Sequence, residues 1–228
     1  MTSNKVLPMH EEILLLALDD DKGTTSLGGM FANAMGGAIL AELVMSKAVA
    51  ISSDKDHKVT ILAPSLTGDS ILDECLNKIR DEKKVKKATH WVTKFAGLKD
   101  LKNRSARSLV AKGVLSEGQD KVLGLFKRTI FPEAESGPEQ ELRERLRGVI
   151  FSDTDDPDAR TVVVIALTNA AQMLSGMFDK KELKGRKERI KQLSSGDIVG
   201  QATKEAVEAI QAAIMLTTII VPVVITSS

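Results

Sequence analysis

The chain has 228 residues and a net charge of +1, and a sequence of this length can bury a large core without disulfide bonds. Its single cysteine, Cys75, excludes an intramolecular disulfide, and the near-neutral charge excludes a general polyelectrolyte role. Because aromatic residues make up only 3% of the chain, we expect a core of Leu, Ile, Val, Ala and Met, with Cys75 on an apolar helix face.

Two helices are predicted near the start of the chain. Residues 11–18 begin with two glutamates and continue as an aliphatic run, which predicts a short buried helix whose acidic end lies where the helix dipole favours it. Residues 27–45 predict a second helix. It contains four glycines, Gly28, Gly29, Gly36 and Gly37. Because each interior glycine costs about 1 kcal/mol relative to alanine, this helix is expected to pack closely against another backbone.

A small hairpin and a helix are predicted next. The β-branched runs at 48–51 and 59–62 flank a polar connector, which predicts a hairpin. Thr67 or Asp69 can cap the following helix, because apolar residues then recur at helical spacing.

The middle of the chain is strongly basic. Residues 78–107 contain eleven basic and three acidic residues, for a local net charge of +8. Residues 98–115 predict a helix that Gly113 ends. The segment KVLGLFKRTIF at 121–131 predicts two short strands around a basic turn formed by Lys127 and Arg128.

The last third of the chain is predicted to be helical. Helices are expected at 142–151, at 159–178 after the acidic capping turn 153–158, at 180–191 as a solvated helix, and from about 201. Residues 1–9 lack the apolar stretch of a signal peptide. The uncharged residues 209–228 fit a buried helix with an extended tail, a tail anchor or an interfacial segment.

The organisation favours one mainly α domain with a small β-hairpin. Neither an internal repeat nor a shift in composition divides the sequence, so residues 11–228 are predicted to form one globular helical domain after a short tail, residues 1–10.

The sequence carries no catalytic or cofactor motif. HExxH, CxxC, GxGxxG and GxxxxGK[ST] patterns are absent, and the three histidines are far apart in sequence. The acidic runs 19–21 and 153–158 are interpreted as solvated caps. Nucleic-acid binding is not favoured, because only Trp91 and Phe95 interleave with the lysines. We therefore predict no enzyme, no cofactor and no metal site.

Four ordered segments resemble the Golgi phosphoprotein 3 family. They are EEILLLALDD with GAILAEL, then TGDSILDE, then LVAKGVL, and then the acidic-Pro turn with an arginine and a buried helix. The LGLF, basic residue, Pro pattern is more similar to prokaryotic members. The resemblance implies a mainly helical, non-enzymatic protein, cytoplasmic and peripheral on membranes. Its eukaryotic relatives bind phosphatidylinositol 4-phosphate on the cytosolic face of the Golgi and retain glycosyltransferases there.

The resemblance also implies a lipid site. The family's two basic residues before KGVL fall on Lys99 and Lys102, and Arg104 is predicted to contact headgroups with them. The family's arginine falls on Gly36, and its tryptophan falls near Leu27 or Gly28. Half of the phosphoinositide site is therefore missing, and binding to anionic phospholipids in general is expected.

In the family, the apolar tip of a hairpin at this location is implicated in membrane insertion and self-association. Here the corresponding apolar residues are Val122, Leu123, Leu125, Phe126, Ile130 and Phe131. The resemblance implies a peripheral membrane protein that serves as an adaptor in membrane trafficking. The alternative is a helical interaction scaffold that forms homo-oligomers through the hairpin without binding lipid.

Overall fold

The computed structural model describes residues 6–18, 29–63, 65–122, 126–134, 137–196 and 207. Over these residues the protein is helix-dominated, which confirms the predicted mainly α fold. The helices are α1 (Met9–Leu15), α2 (Gly29–Met45), α3 (Ser70–Arg80), α4 (Ala88–Ala96), α5 (Leu101–Ala111), α6 (Gly137–Ile150), α7 (Ala159–Ala170), α8 (Leu174–Met177), α9 (Lys180–Gly185) and α10 (Lys187–Ser195). The strands are β1 (Val49–Ile51), β2 (Val59–Ile61), β3 (Gly118–Val122) and β4 (Phe126–Ile130).

The core is built around α2, which packs against α1, α3, α4 and α7. Met35, Ile39 and Leu43 of this helix are fully buried. Helix α7 is buried from Thr161 to Thr168 because apolar residues there cover every side, and α10 packs against it. The core is mainly aliphatic, as the composition predicts, and it also contains Trp91, Phe95 and Cys75.

Close packing of α2 against α4 explains one of the glycines. A Cβ atom on Gly36 would lie 2.3 Å from the carbonyl oxygen of Val92 and 2.8 Å from the amide nitrogen of Ala96. The two backbones therefore touch at this point, as the glycine content of the helix predicts.

Local signals in the sequence set several boundaries. The carboxylate of Asp69 accepts hydrogen bonds from the amides of Ile71 and Leu72, so Asp69 is the N-cap of α3. Strands β1 and β2 pair antiparallel as predicted, with Val49 opposite Ile61. After α5 the chain turns at Gly113, whose φ of +78° is a conformation that glycine adopts readily.

The prediction of one helix over 159–178 is wrong. Helix α7 ends at Ala170, and Gln172 adopts a left-handed conformation with φ of 59°. The amide of Met173 donates to the carbonyl of Thr168, and that of Gln172 to the carbonyl of Asn169. These two hydrogen bonds form the Schellman ending of a helix without the usual glycine.

The predicted solvated helix over 180–191 is also divided. It forms α9 and α10, which meet at Arg186, and Ile190 and Leu193 of α10 are buried. Their spacing of three residues places both on the face that packs against α7. The predicted helix from about 201 and the run 209–228 lie outside the described residues, apart from Val207.

Candidate functional site

Most charges of the basic segment 78–107 are neutralised by ion pairs in the described structure. Six of its cations have carboxylate partners: Lys78 and Arg104 with Glu74, Lys86 and Lys94 with Glu82, Lys87 with Asp56, and Arg107 with Asp100 and Glu117. Four lysines have no such partner among the described residues: Lys83, Lys84, Lys99 and Lys102. Arg80, the eleventh cation, has an interaction of its own, so the cations without a partner among the described residues are two pairs of lysines.

Lys99 and Lys102 lie at the start of α5. Lys99 is exposed in the turn before the helix, and Lys102 is half-buried in its first turn. The first turn contains no acidic residue, and the N-cap Asp100 is engaged by the amide of Asn103 at 2.5 Å. Because the N-terminal end of a helix carries partial positive charge, these two lysines add to a field that favours anions.

The pKa of Lys102 is lowered from its ordinary value, first by burial and then by the positive charge of Arg128. Arg128 lies on β4 and pairs with Asp120 of β3 at 2.8 Å. The hairpin β3–β4 therefore brings a cation toward the start of α5. Arg104, the third predicted headgroup residue, instead forms an ion pair of 2.7 Å with Glu74.

The second hairpin forms where the sequence predicts it, but its turn is not basic. Lys121 pairs with Lys127, and Val122 with Phe126, so Lys127 and Arg128 lie within β4. The prediction of a basic turn is wrong because the apolar residues 123–125 stand between the strands.

Only some of the hairpin residues predicted to insert or self-associate can be placed in the structure. Leu123 and Leu125 lie outside the described residues, as do the side chains of Val122 and Phe126. Ile130 is half-buried. Phe131 is only 1% exposed and belongs to the core, because the chain turns inward at the base of β4. Phe131 is therefore removed from the candidate surface.

Gly36, the predicted position of the family's arginine, is structurally closed. Gly36 contacts the α4 backbone so closely that no side chain fits without moving one helix. Leu27 and Gly28, where the family's tryptophan falls, lie outside the described residues. Of the predicted lipid-site positions that the structure describes, Lys99 lies just before α5, Lys102 lies in its first turn, and Gly36 has no side chain.

Sequence reasoning missed a network of buried charges around α1. Glu11 and Glu12 are buried, and they are held by ion pairs rather than exposed at a helix end. Lys112 donates to both carboxylate oxygens of Glu11 at 2.5 Å, and Arg160 lies between Glu12 and Glu42. Since these partners come from distant segments, the only sequence signal was the pair of glutamates before an apolar run.

A cavity of about 610 Å³ opens beside this network. Its wall includes Glu42, Asp69 and Lys112, and the mostly exposed apolar residues Val6 and Leu66 stand at its edge. In the described part of the chain, no helix is both long and apolar enough to cross a bilayer.

A comparison with protein families identifies the family of the chain. The family model described as Golgi phosphoprotein 3 (GPP34) matches residues 9–210, which is nearly the whole chain. The protein therefore belongs to the Golgi phosphoprotein 3 (GPP34) family.

Proposed function

We propose that the protein is a peripheral membrane protein that binds anionic phospholipid headgroups at the start of α5. The proposal is supported by Lys99 and Lys102, which lack carboxylate partners in the described structure while most cations around them are paired. A half-buried lysine beside an arginine is costly for a protein to maintain. A phosphate group at Lys102 would neutralise that charge.

The hairpin β3–β4 supplies the second part of the proposed contact. Lysines near an anionic bilayer contribute about 1 kcal/mol each, so Lys99 and Lys102 alone do not anchor the protein stably. Lys127 and Arg128 are exposed on β4, next to the apolar residues Val122, Leu123, Leu125 and Phe126. Each methylene that enters the acyl boundary adds about 0.8 kcal/mol, so insertion of these residues would complete the anchor.

We propose that binding depends on charge and not on a particular phosphoinositide. Gly36 stands where the family has an arginine, and its contact with Val92 leaves no room for a side chain there. Arg104 is left out of the proposed contact, because Glu74 neutralises it.

Vesicle sedimentation tests this function. The protein is mixed with neutral phosphatidylcholine vesicles and with vesicles that carry phosphatidylglycerol, phosphatidylserine or phosphatidylinositol 4-phosphate at matched surface charge. We expect binding to all three anionic compositions, weakened by salt because exposed charges are screened. Absence of binding to anionic vesicles would contradict the function, and a strong preference for phosphatidylinositol 4-phosphate would contradict the proposed lack of specificity.

In the cell, such a protein would act as an adaptor in membrane trafficking, without catalytic activity. Membership of the Golgi phosphoprotein 3 family supports this role, on the cytosolic face of the Golgi if the host is a eukaryote.

The alternative function is a scaffold that self-associates through the hairpin. It is favoured by the same apolar residues of the sequence, since apolar side chains at a hairpin tip, where exposed, mark either a membrane or a protein contact. Phe126→Asp separates the two functions. Loss of vesicle binding at an unchanged oligomeric state favours insertion, whereas conversion of an oligomer to a monomer in light scattering favours the scaffold.

A further inference from the structure

A second cluster of polar side chains lies at α1, in the buried network next to the cavity. His10 and Glu11 of α1 and Asp69, the N-cap of α3, each offer one nitrogen or oxygen atom, and these atoms lie within 4.8 Å of one another. His10 and Glu11 are fully buried. A buried imidazole and two carboxylates from two parts of the chain are a set of groups that can coordinate a cation.

The environment of His10 leaves one ring nitrogen without a hydrogen bond of normal length. Nδ1 lies 3.0 Å from the hydroxyl oxygen of Ser105 on α5, whereas Nε2 is buried and lies 3.5 Å from Oδ1 of Asp69. The Ser105 hydroxyl can donate to Nδ1, which leaves Nε2–H facing Asp69, or accept from Nδ1–H, which leaves a lone pair on Nε2. In the second arrangement, a metal ion can bind between Nε2 and the carboxylate of Asp69.

We propose that His10, Glu11 and Asp69 form a binding site for a divalent transition-metal ion. One imidazole with two carboxylates suits Zn²⁺ better than Mg²⁺ or Ca²⁺, which prefer sites made of oxygen atoms alone. The hydrogen bond between His10 and Ser105 is the kind of outer contact that orients a metal-binding imidazole. Because zinc lies about 2.0–2.2 Å from its nitrogen and oxygen ligands, the three side chains close in by about 1 Å on binding.

In the metal-free protein, the positive charge of Lys112 partly replaces that of a bound metal ion. Its ammonium group lies 2.5 Å from both oxygens of Glu11 and balances one of the two negative charges of the cluster. The side chain is 31% exposed and lines the cavity, so its flexible stem can withdraw toward solvent. Lys112 and the metal ion therefore compete for Glu11. The cavity provides the route of entry, since Asp69 also lies in its wall.

The other acidic residues of the network are not expected to bind the metal ion, because neighbouring cations already pair with them. Glu12 is held between Arg145 and Arg160, and Glu42 is held by Arg160 and the amide of Met9. The site proposed here is independent of lipid binding.

Zinc titration of the chelator-treated full-length protein tests the site. Affinity and stoichiometry are measured in competition with a chromogenic chelator, for the wild type, His10→Gln, Asp69→Asn and His90→Gln. We expect one Zn²⁺ per chain in the wild type. His10→Gln and Asp69→Asn should weaken binding by roughly tenfold or more, since loss of even an outer partner costs about 10–100-fold. His90→Gln removes an exposed histidine and should bind as the wild type does.

The choice of Asp69→Asn and one further variant, Lys112→Met, keep the test decisive. Asp69→Asn preserves the cap of α3, because asparagine is as good an N-cap as aspartate, so the variant remains folded even where His10→Gln does not. Lys112→Met removes the competing ammonium and should bind Zn²⁺ more tightly than the wild type, although it leaves Glu11 unpaired in the metal-free protein. If Lys112 only stabilises the fold and does not compete with the metal ion for Glu11, Lys112→Met should bind Zn²⁺ no more tightly than the wild type.

Three results would overturn the proposal. They are the absence of saturable zinc binding in the wild type, equal affinity in the wild type and Asp69→Asn, and loss of binding in His90→Gln alone.

Discussion

Gly36 of α2 lies against the carbonyl group of Val92 in α4, at a distance that leaves no room for a Cβ atom. The contact holds the central helix against α4, whose Trp91 and Phe95 are among the largest buried side chains. It also closes the position at which the family's arginine is predicted to fall. One backbone contact thus bears on both the stability of the fold and the expected lipid specificity.

Gly36→Ala should destabilise the protein. The added Cβ would meet backbone atoms of Val92 and Ala96, which cannot rotate away. Overpacking of this kind costs about 1–3 kcal/mol, and it outweighs the gain of about 1 kcal/mol that alanine usually brings to a helix. Urea denaturation should therefore show a lower midpoint than the wild type.

Gly148→Ala is the matched control. Gly148 lies in α6, and a Cβ there would have no neighbour within 4 Å among the described residues. The substitution should raise the free energy of unfolding by up to about 1 kcal/mol. If both variants are stabilised, the close contact at Gly36 is not present in solution.

Arg160→Met should be strongly destabilising. Its guanidinium group donates to both carboxylate oxygens of Glu42 at 3.0 and 2.9 Å, and to Glu12, which is only 3% exposed. Removing one partner of a buried pair leaves uncompensated charge, which costs about 3–5 kcal/mol. Arg160→Lys should restore only part of the loss, because a lysine cannot reproduce the two-pronged contact.

The control for Arg160 is Arg107→Met. Arg107 is exposed and pairs with Asp100 and Glu117 at the surface, where ion pairs contribute little. Thermal unfolding of the two variants should differ clearly. A similar, small effect of both would mean that the network around Glu12 is solvated.

Asp158→Ala tests the cap of α7 and gives a pH dependence. Burial opposes ionisation of Asp158, but the hydroxyl and amide of Thr161 donate to its carboxylate, and the pKa is lowered from 3.8. A lowered folded-state pKa contributes stability above the unfolded-state value, and this contribution is lost as pH falls through the folded-state pKa.

The wild type should therefore be more stable than Asp158→Ala by about 1 kcal/mol at neutral pH. The difference should shrink as the pH falls below 4, and urea denaturation at several pH values measures it. Asp155→Ala removes an exposed carboxylate of the same turn that has no partner among the described residues, and it should show no such trend. A constant difference for Asp158→Ala would contradict the proposed cap.

The features that the sequence predicted correctly are local. Asp69 and Asp158 cap their helices, and Gly113 turns the chain, because each acts on residues a few positions away. The end of α7 was missed because Gln172 adopts the left-handed conformation that ends the helix. A glycine usually stands at such a position, and its absence left the sequence without a stop signal.

The buried network could not be predicted because its partners are distant in sequence. Glu11 and Lys112 are separated by 101 positions, and Glu12 and Arg160 by 148. Likewise, the charge of the basic segment could be counted from the sequence, but only the fold shows which lysines lack partners. Of the predicted headgroup residues, Lys99 and Lys102 stay in the proposed site, whereas Arg104 is neutralised by Glu74.

The most direct test of the proposed lipid site compares two double variants, Lys99→Ala with Lys102→Ala and Lys83→Ala with Lys84→Ala. All four lysines lack carboxylate partners in the described structure, so each pair removes the same charge. Sedimentation with phosphatidylglycerol vesicles measures the affinity, and thermal unfolding checks that both variants stay folded.

We expect the Lys99 and Lys102 variant to bind roughly 10–30-fold more weakly than the wild type, because two lysines contribute about 2 kcal/mol at an anionic surface. The Lys83 and Lys84 variant should bind nearly as the wild type does. Equal losses in the two variants, or wild-type binding by the Lys99 and Lys102 variant, would contradict a headgroup site at the start of α5.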